Sequence, residues 1–488
     1  MAPPPNITTL PLEILTAIVD LLLALSNGDK TDVIALSKTC KTLRHRLSPV
    51  LFHTLCFSNS LRASSLALLA AETHGQHIKV LRFVGHSDHN LGEPGYRCEI
   101  LPTSARALFS QTARDGRVSI SPLRLPNLEK ISIYFAHDYD KVRGRNSPIG
   151  GKAIFENDEE QGGAGASRSR SCWERVAERE ERIPSVCGLW RNTYEALASA
   201  PRVRELVIEN WSPRGVSVFA SREWKEFLGK LERLEVRLAV SEPDKSRDGA
   251  IMGYEGYKSD VARMGEFFFQ HLREVKKLEI GIGTKRESDD GRFMFGLAGK
   301  PYRYASGTRV WKPFLVPLPF KDVGGGGGGG GGGEEGGDES MPLLEELVLR
   351  NVFLSQDLVD FIVRCKMLRK VVLENAQAFS HPWIGAITSV SLTWEGFFDA
   401  MCVGLDKHPD SALSELSFTT KTPRVHGLVP PPSDRKTPRW FGYGWVDALF
   451  VADARTTEES GYAGKDQAAY DRFIEKLDEK RRARDGHK

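Results

Sequence analysis

Leu344-Glu345-Glu346-Leu347-Val348-Leu349-Arg350-Asn351-Val352-Phe353-Leu354-Ser355 is the stretch on which the reading of this chain turns. Its apolar residues at 344, 347 and 349 give the spacing L-x-x-L-x-L, and the last two fall on one face of a strand. Ser355 then suits the cap of a helix whose apolar stripe is Leu358, Phe361, Ile362 and Cys365. The same spacing returns at Leu368, Val371 and Leu373. Asn351 and Asn375 each stand two residues past the last apolar strand position.

Working outward, the signature occurs eight times. Its earlier members are Ile78-Leu81-Phe83, Leu128-Ile131-Ile133, Val203-Leu206-Ile208, Leu231-Leu234-Val236 and Val275-Leu278-Ile280, and the last is Leu413-Leu416-Phe418. Successive starts lie 50, 75, 28, 44, 69, 24 and 45 residues apart. The shortest steps are near one unit of a 20–29-residue repeat, and 44, 45 and 50 are near two. Helices are expected before several strands, at Trp190 to Leu197, Trp224 to Leu228 and Val261 to Leu272. The pattern resembles leucine-rich repeats, including the asparagine that hydrogen-bonds backbone at the turn. That resemblance implies an irregular, right-handed α/β solenoid. An ordinary α/β sheet with leucine-rich strands would share the pattern.

Function in a solenoid belongs to the face its strands line. Side chains alternating with the buried ones are charged, and Arg204, Glu209, Arg233, Glu235, Arg237, Arg350 and Lys370 are the candidate contacts to a protein substrate. A plainly solvated face fits many of them equally well. Tyr134, Phe135 and Trp211, near strand ends, are either anchors or core.

Residues 10 to about 56 have another character. Ile14, Leu15, Ile18, Val19, Leu22 and Leu25 form a helical stripe, with Thr8 or Thr9 as cap, Pro11 in the first turn and Asn27-Gly28 at the end. Asp29 or Asp32 would cap a second helix that continues through Cys40, Leu43 and Leu47 until Ser48-Pro49 stops it. Leu10-Pro11-x-Glu13-Ile14-Leu15, then Ala35-Leu36-Ser37-Lys38-Thr39-Cys40-Lys41-x-Leu43-Arg44, then Pro49-x-Leu51-Phe52 resemble an F-box. The linker before Ala35 is longer than in the compact form, and Leu43 stands where an aromatic is often found. The resemblance implies three helices that bind the Skp-type adaptor of a cullin–RING ubiquitin ligase. It nominates Leu10, Pro11, Ile14, Leu15 and Ile18 for that contact, with Val33, Leu36 and Leu43 behind them. A helical cap sealing the first strand is the alternative.

The remaining sequence mostly excludes. A formal net charge of +3, from 67 basic and 64 acidic residues, argues against nucleic acid or membrane as the main partner. Ten consecutive glycines, Gly324 to Gly333, lack the Lys-Ser/Thr of a phosphate loop and read as a linker. Inserts at about 138–172 and 321–341 read as disordered, and Phe293 to Phe320 as a hairpin excursion. Seven scattered cysteines without a CxxC pair suit a reducing compartment, and no export signal precedes them. The histidines at 74, 77, 86 and 89 with Cys98 are the one cluster at metal-like spacing, and a structural role fits them better. No nucleophile motif or paired carboxylates stand out. Trp440 to Trp445 reads as an aromatic patch on the last repeat, and 466–484 as a charged helix with a thin stripe at Tyr470, Phe473, Ile474 and Leu477.

The expectation is therefore an F-box at 6–57, an irregular leucine-rich-repeat-like domain at 75–430 and a tail at 431–488, in an α+β/α/β chain. It would be a substrate-recognition subunit of an SCF-type ligase, not an enzyme, without cofactor or metal. Its partners would be the adaptor, a cullin through it, and an unknown protein substrate, in cytoplasm or nucleus. An interaction scaffold outside any ligase is the competing expectation.

Overall fold

The computed structural model describes residues 7, 10–25, 30–86, 101–110, 125–136, 186–200, 202–211, 215–238, 263–282, 295–298, 314–317, 341–376, 378–379, 392–419, 442–446, 449–452 and 464–485. The fold is mixed α/β. Nine strands of the principal sheet follow chain order, and the pairings described among them are parallel. The chain divides into two compact units, the first comprising Met1–Ala136 and Asn192–Val203. Among the described residues no helix is long and apolar enough to cross a membrane.

The first unit opens with α1 (Leu12–Leu25), α2 (Thr31–Thr39) and α3 (Lys41–Leu51). Three departures from the sequence reading have local causes. The second expected helix is two, because Cys40 is extended (φ −157°, ψ 162°) and its Sγ accepts the Leu43 N–H at 3.4 Å, capping α3. The N-cap of α2 is Lys30, which makes no side-chain cap bond, and Asp32 lies inside the first turn. Pro49 does not end α3. Near a helix terminus its missing N–H costs one bond, and Ser48 Oγ donates to the Arg44 carbonyl one turn back (2.8 Å). The expected caps at Thr8, Thr9, Asn27, Gly28 and Asp29 fall outside the described residues.

After Phe52 the chain enters β1 (Thr54–Ser58), then α4 (Leu61–His74), β2 (Val80–His86), α5 (Thr103–Ser110) and β3 (Lys130–Ala136). The strand β1 was absent from the sequence reading, which ended the helical module at 57 and began the array at 75. Its pairing with β2, Leu55 opposite Leu81 and Phe57 opposite Phe83, moves the start of the array back to Thr54. Phe57, Phe83, Phe109 and Phe135 pack ring against ring beneath these strands. Close-packed aromatics of this size dominate a core's burial.

The helix α6 (Val186–Ala198) precedes β4 (Glu205–Trp211). In the second unit follow α7 (Arg222–Gly229), β5 (Arg233–Leu238), α8 (Met264–Phe267) and β6 (Lys277–Ile282). The helix expected from 261 to 272 contracts to α8 and a 3₁₀ turn at Phe269–His271, with Phe267, Phe268 and Phe269 all buried. Three adjacent phenylalanines facing the core do not fit a 3.6-residue stripe, and Phe268 leaves helical geometry (φ −131°, ψ −64°). Trp224 Nε1 donates to the Phe267 carbonyl (2.9 Å), tying α7 to α8.

Two short strands, β7 (Phe295–Ala298) and β8 (Phe314–Pro317), pair parallel, so the segment is not a hairpin. Parallel partners need a crossover that a tight turn cannot supply. The array resumes with β9 (Glu346–Arg350), α9 (Gln356–Arg364), β10 (Lys370–Glu374) and β11 (Ala378–Phe379), then α10 (Trp394–Lys407) and β12 (Glu415–Thr419). Ser355 caps α9 as expected, its Oγ accepting the Leu358 N–H (3.3 Å). The aromatic patch forms β13 (Gly442–Val446), paired with β11 and with β14 (Leu449–Ala452).

The last helix, α11 (Lys465–Asp485), is not a solvated tail. Ala469, Phe473 and Leu477 are fully buried, and Phe473 and Tyr470 meet Phe398 of α10. The two helices run parallel with matched ends. Asp466 accepts the Glu395 N–H (2.8 Å) at the start of α10, and Lys480 donates to the carbonyls of His408 and Ser411 (3.3 and 3.2 Å) past its end. Negative charge at a helix N-terminus and positive charge at its C-terminus both favour the α10 dipole.

Candidate functional site

The N-terminal helices have a complete core of their own. Leu15, Val19, Val33, Leu43 and Leu47 are buried together, with Leu22, Leu23, Leu36 and Cys40 packed around them. Arg46 reaches the Leu10 carbonyl (2.7 Å) and Lys30 the Val50 carbonyl (2.8 Å), fixing the entry of α1 and the spacing of α2 and α3. A second stripe on α1 is left over. Ile14 is 49% exposed, Leu21 63% and Leu25 81%, and Ile18 is half-buried. Positions 14, 18, 21 and 25 follow the 4-3-4 spacing of a seam that another helix can fill.

This geometry sorts the residues nominated for adaptor contact. Pro11 and Ile14 are exposed, and Leu10, Ile18 and Leu36 are half-buried. Leu15, Val33 and Leu43 are at most 1% exposed, so they hold the module together and present no surface to a partner. Leu21 and Leu25 are additions that the stripe geometry supplies.

In the second unit, the residues of the L-x-x-L-x-L signature turn inward and the alternate ones stack in rows on the other face. One row contains Glu205, Arg233, Lys277, Glu346, Lys370 and Glu415. It is internally paired: Arg233 with Glu205 (3.7 Å), Lys277 with Glu346 (2.8 Å) and Lys370 with Glu415 (3.1 Å). Deeper in the sheet, Arg237 reaches Glu235 (2.5 Å) and Glu279 (3.1 Å), while Arg350 pairs with Glu279 (2.8 Å) and Glu374. Burial would push the Glu279 pKa up, but Arg350 and Arg237 outweigh it and hold the carboxyl below its ordinary range. At the strand entries Arg204, Glu232 and Lys276 link in turn, at 2.8 and 3.0 Å.

The substrate-contact candidates therefore divide. Glu235 and Arg237 are buried and committed to each other, which removes them from a recognition surface. Arg233, Arg350 and Lys370 are partly open but already paired, and Arg204 is open and paired. Glu209 is half-buried on β4. Of the aromatics, Phe135 and Trp211 are core, while Tyr134 is half-buried on the polar side of β3.

A row of asparagines closes the C-terminal ends of the strands. Asn351 and Asn375 are buried in left-handed backbone (φ 62° and 54°). Asn351 Nδ2 donates to the Ile282 carbonyl (2.8 Å), and Asn375 Nδ2 donates to Asn351 Oδ1. Asn210 has the same conformation (φ 55°) within β4, one residue before its end. In the first unit Asn59 exchanges two hydrogen bonds with the His86 backbone, both 2.9 Å. Asn59, Asn351 and Asn375 lie two residues past the last inward strand position and Asn210 two past Ile208, so the signal for Asn59 and Asn210 was present in the sequence.

The chain matches no family model, no curated protein and no solved structure.

Among the described residues no group of three or more metal-ligating side chains comes together. His74 stacks on Phe52 with ring centroids 3.7 Å apart, and His77 bonds Gln76 (3.2 Å). His89 and Cys98 lie outside the described residues, as do the two expected inserts up to residue 340.

Proposed function

We propose that the chain is a substrate receptor of an SCF-type cullin–RING ubiquitin ligase, with residues 10–51 docking on a Skp-type adaptor and the strand array recognising a protein substrate. The observation that carries the reading is the double face of α1. Leu15 and Val19 complete the module's core, yet Ile14, Leu21 and Leu25 stay open beside Pro11. Each such aliphatic anchor contributes about 1.5–3 kcal/mol when fully buried by a partner. The parallel strands, in-register inward leucines and asparagine row support an irregular leucine-rich-repeat-like solenoid for the rest. In this role the chain supplies proximity, raising the local concentration of substrate lysines at the ligase.

A scaffold reading, with α1 to α3 only sealing the array, is favoured by one contact: Phe52, at the end of α3, stacks on His74 of α4. Capture of purified Skp-type adaptor by the full chain separates the two. The receptor reading expects capture by the wild type and its loss in Leu10→Ala/Ile14→Ala. Absence of capture by the wild type, or capture unchanged in the variant, sinks it.

A further inference from the structure

We infer that the polar face of β1, β2 and β3 is a docking site for an extended acidic protein segment, an inference that rests on the receptor reading and gives its substrate a chemistry. The two units differ in how their strand-borne charges are used. In the second unit Arg233, Arg237, Lys277, Arg350 and Lys370 each have a carboxylate partner on a neighbouring strand. In the first unit the corresponding cations are Arg82 and Lys130, and among the described residues neither meets an acid. On these three strands their row neighbours are Thr54, Val80, Cys56 and Ser132, none of them charged.

Accessibility follows the same division. Arg82 and Cys56 are exposed and Lys130 is half-buried, with Ser132 next to Arg82 buried, whereas Glu235 and Glu279 in the second unit are both buried. Strands about 4.8 Å apart and alternate residues about 6.6 Å apart place Arg82 and Lys130 on a diagonal on the order of 8 Å. An extended peptide presents its residues i and i+2 at close to that separation, so a carboxylate at every second position meets both cations. An unpaired guanidinium can take a carboxylate through two parallel N–H groups, which a lone ammonium cannot. Two cations are too few for the phosphate-by-phosphate neutralisation that gives nucleic-acid binding its strength, and the occupant assigned is therefore protein.

The test uses the full chain and a fluorescent decapeptide of alternating glutamate and serine, with a glutamine-serine peptide and a ten-nucleotide RNA beside it. The wild type is expected to bind the glutamate peptide in preference to both, and Arg82→Gln/Lys130→Gln to weaken that binding by roughly tenfold or more. Reversal, Arg82→Glu/Lys130→Glu, should transfer preference to a lysine-serine peptide. Lys277→Gln/Lys370→Gln, on the paired face, should leave glutamate-peptide binding unchanged. Equal binding by the wild type and Arg82→Gln/Lys130→Gln, an equal loss in the paired-face variant, or preference for the RNA overturns the inference. Adaptor capture by the same proteins is read separately: peptide binding without capture keeps the acidic site and overturns the ligase reading alone.

Discussion

Glu235 and Glu279 stand directly opposite each other on adjacent parallel strands, two carboxylates in register and nearly closed to solvent. Like charges so placed repel. The pairing survives because Arg237 lies against both and Arg233 approaches both from the other side, at 3.4 and 3.8 Å. Removing one member leaves an uncompensated buried charge, so Arg237→Met should cost about 3–5 kcal/mol. Replacing Glu235, Arg237 and Glu279 together by apolar residues of similar volume should cost far less. Urea unfolding midpoints of the two variants make the comparison, and a triple variant weaker than the single one would refute the account.

The same cluster sets an acid limit. The folded-state pKa of Glu279 lies below its ordinary value of 4.5, so its contribution to stability is present above that pH. It fades as pH falls from 4.5 towards the lower folded value. Glu279→Gln should therefore flatten the loss of stability in this window, measured by denaturant midpoints in steps down from pH 6. Unchanged slopes would show that the carboxylate is not held by its arginines.

Asn351 combines a bond and a backbone shape. Alanine there strands the buried Ile282 carbonyl, at about 1–3 kcal/mol, and adds roughly 1 kcal/mol or more for left-handed backbone. Asn351→Gly should recover the second part and not the first. Two-state unfolding should rank the loss of stability in the order wild type, glycine form, alanine form, with alanine worst.

On α1, neighbouring residues should fail differently. Leu15→Ala opens a cavity in the module's core and should cost about 2–5 kcal/mol. Ile14→Asp should leave thermal stability nearly unchanged and abolish adaptor capture. A large drop in melting temperature for Ile14→Asp would mean that its side chain belongs to the fold.

Phe473 reports on the C-terminal helix. Its side chain is fully buried against Phe398, and Phe473→Ala should cost about 3–5 kcal/mol. Hydrogen exchange should show α10 losing protection with α11. Protection lost from α11 alone would make the helix an appendage.

All eight strand signatures legible in the sequence became strands, because three inward positions at fixed spacing leave a parallel sheet little other way to bury them. The ninth strand was hidden by position: Leu55 and Phe57 carry the same alternation, but they followed a helical module without a break and were read as its end. Asn351 and Asn375 were legible beside clean strands. Asn210 was masked by Trp211, whose inward side chain prolongs β4 past the asparagine. The last helix is less legible because its buried face includes Ala469, a small residue that adds nothing to a stripe of large apolar side chains. For the charged residues, sequence showed which face they occupy. It could not show that Arg237 is consumed by Glu235 and Glu279 while Arg82 is left over, since that depends on register between strands far apart in the chain.

The contact between Asn351 and Ile282 joins two strands that neighbour each other in space, with everything from 283 to 340 lying between them in sequence. Met341 re-enters by donating its N–H to the Leu272 carbonyl (3.1 Å), so departure is pinned by a side-chain amide and return by a backbone bond. Closing a longer loop between fixed ends costs only about 0.6 kcal/mol for each doubling of its length. The glycine run at 324–333 is thus a natural port for cargo. A fluorescent domain or an affinity handle could be spliced there to give a tagged form of the chain.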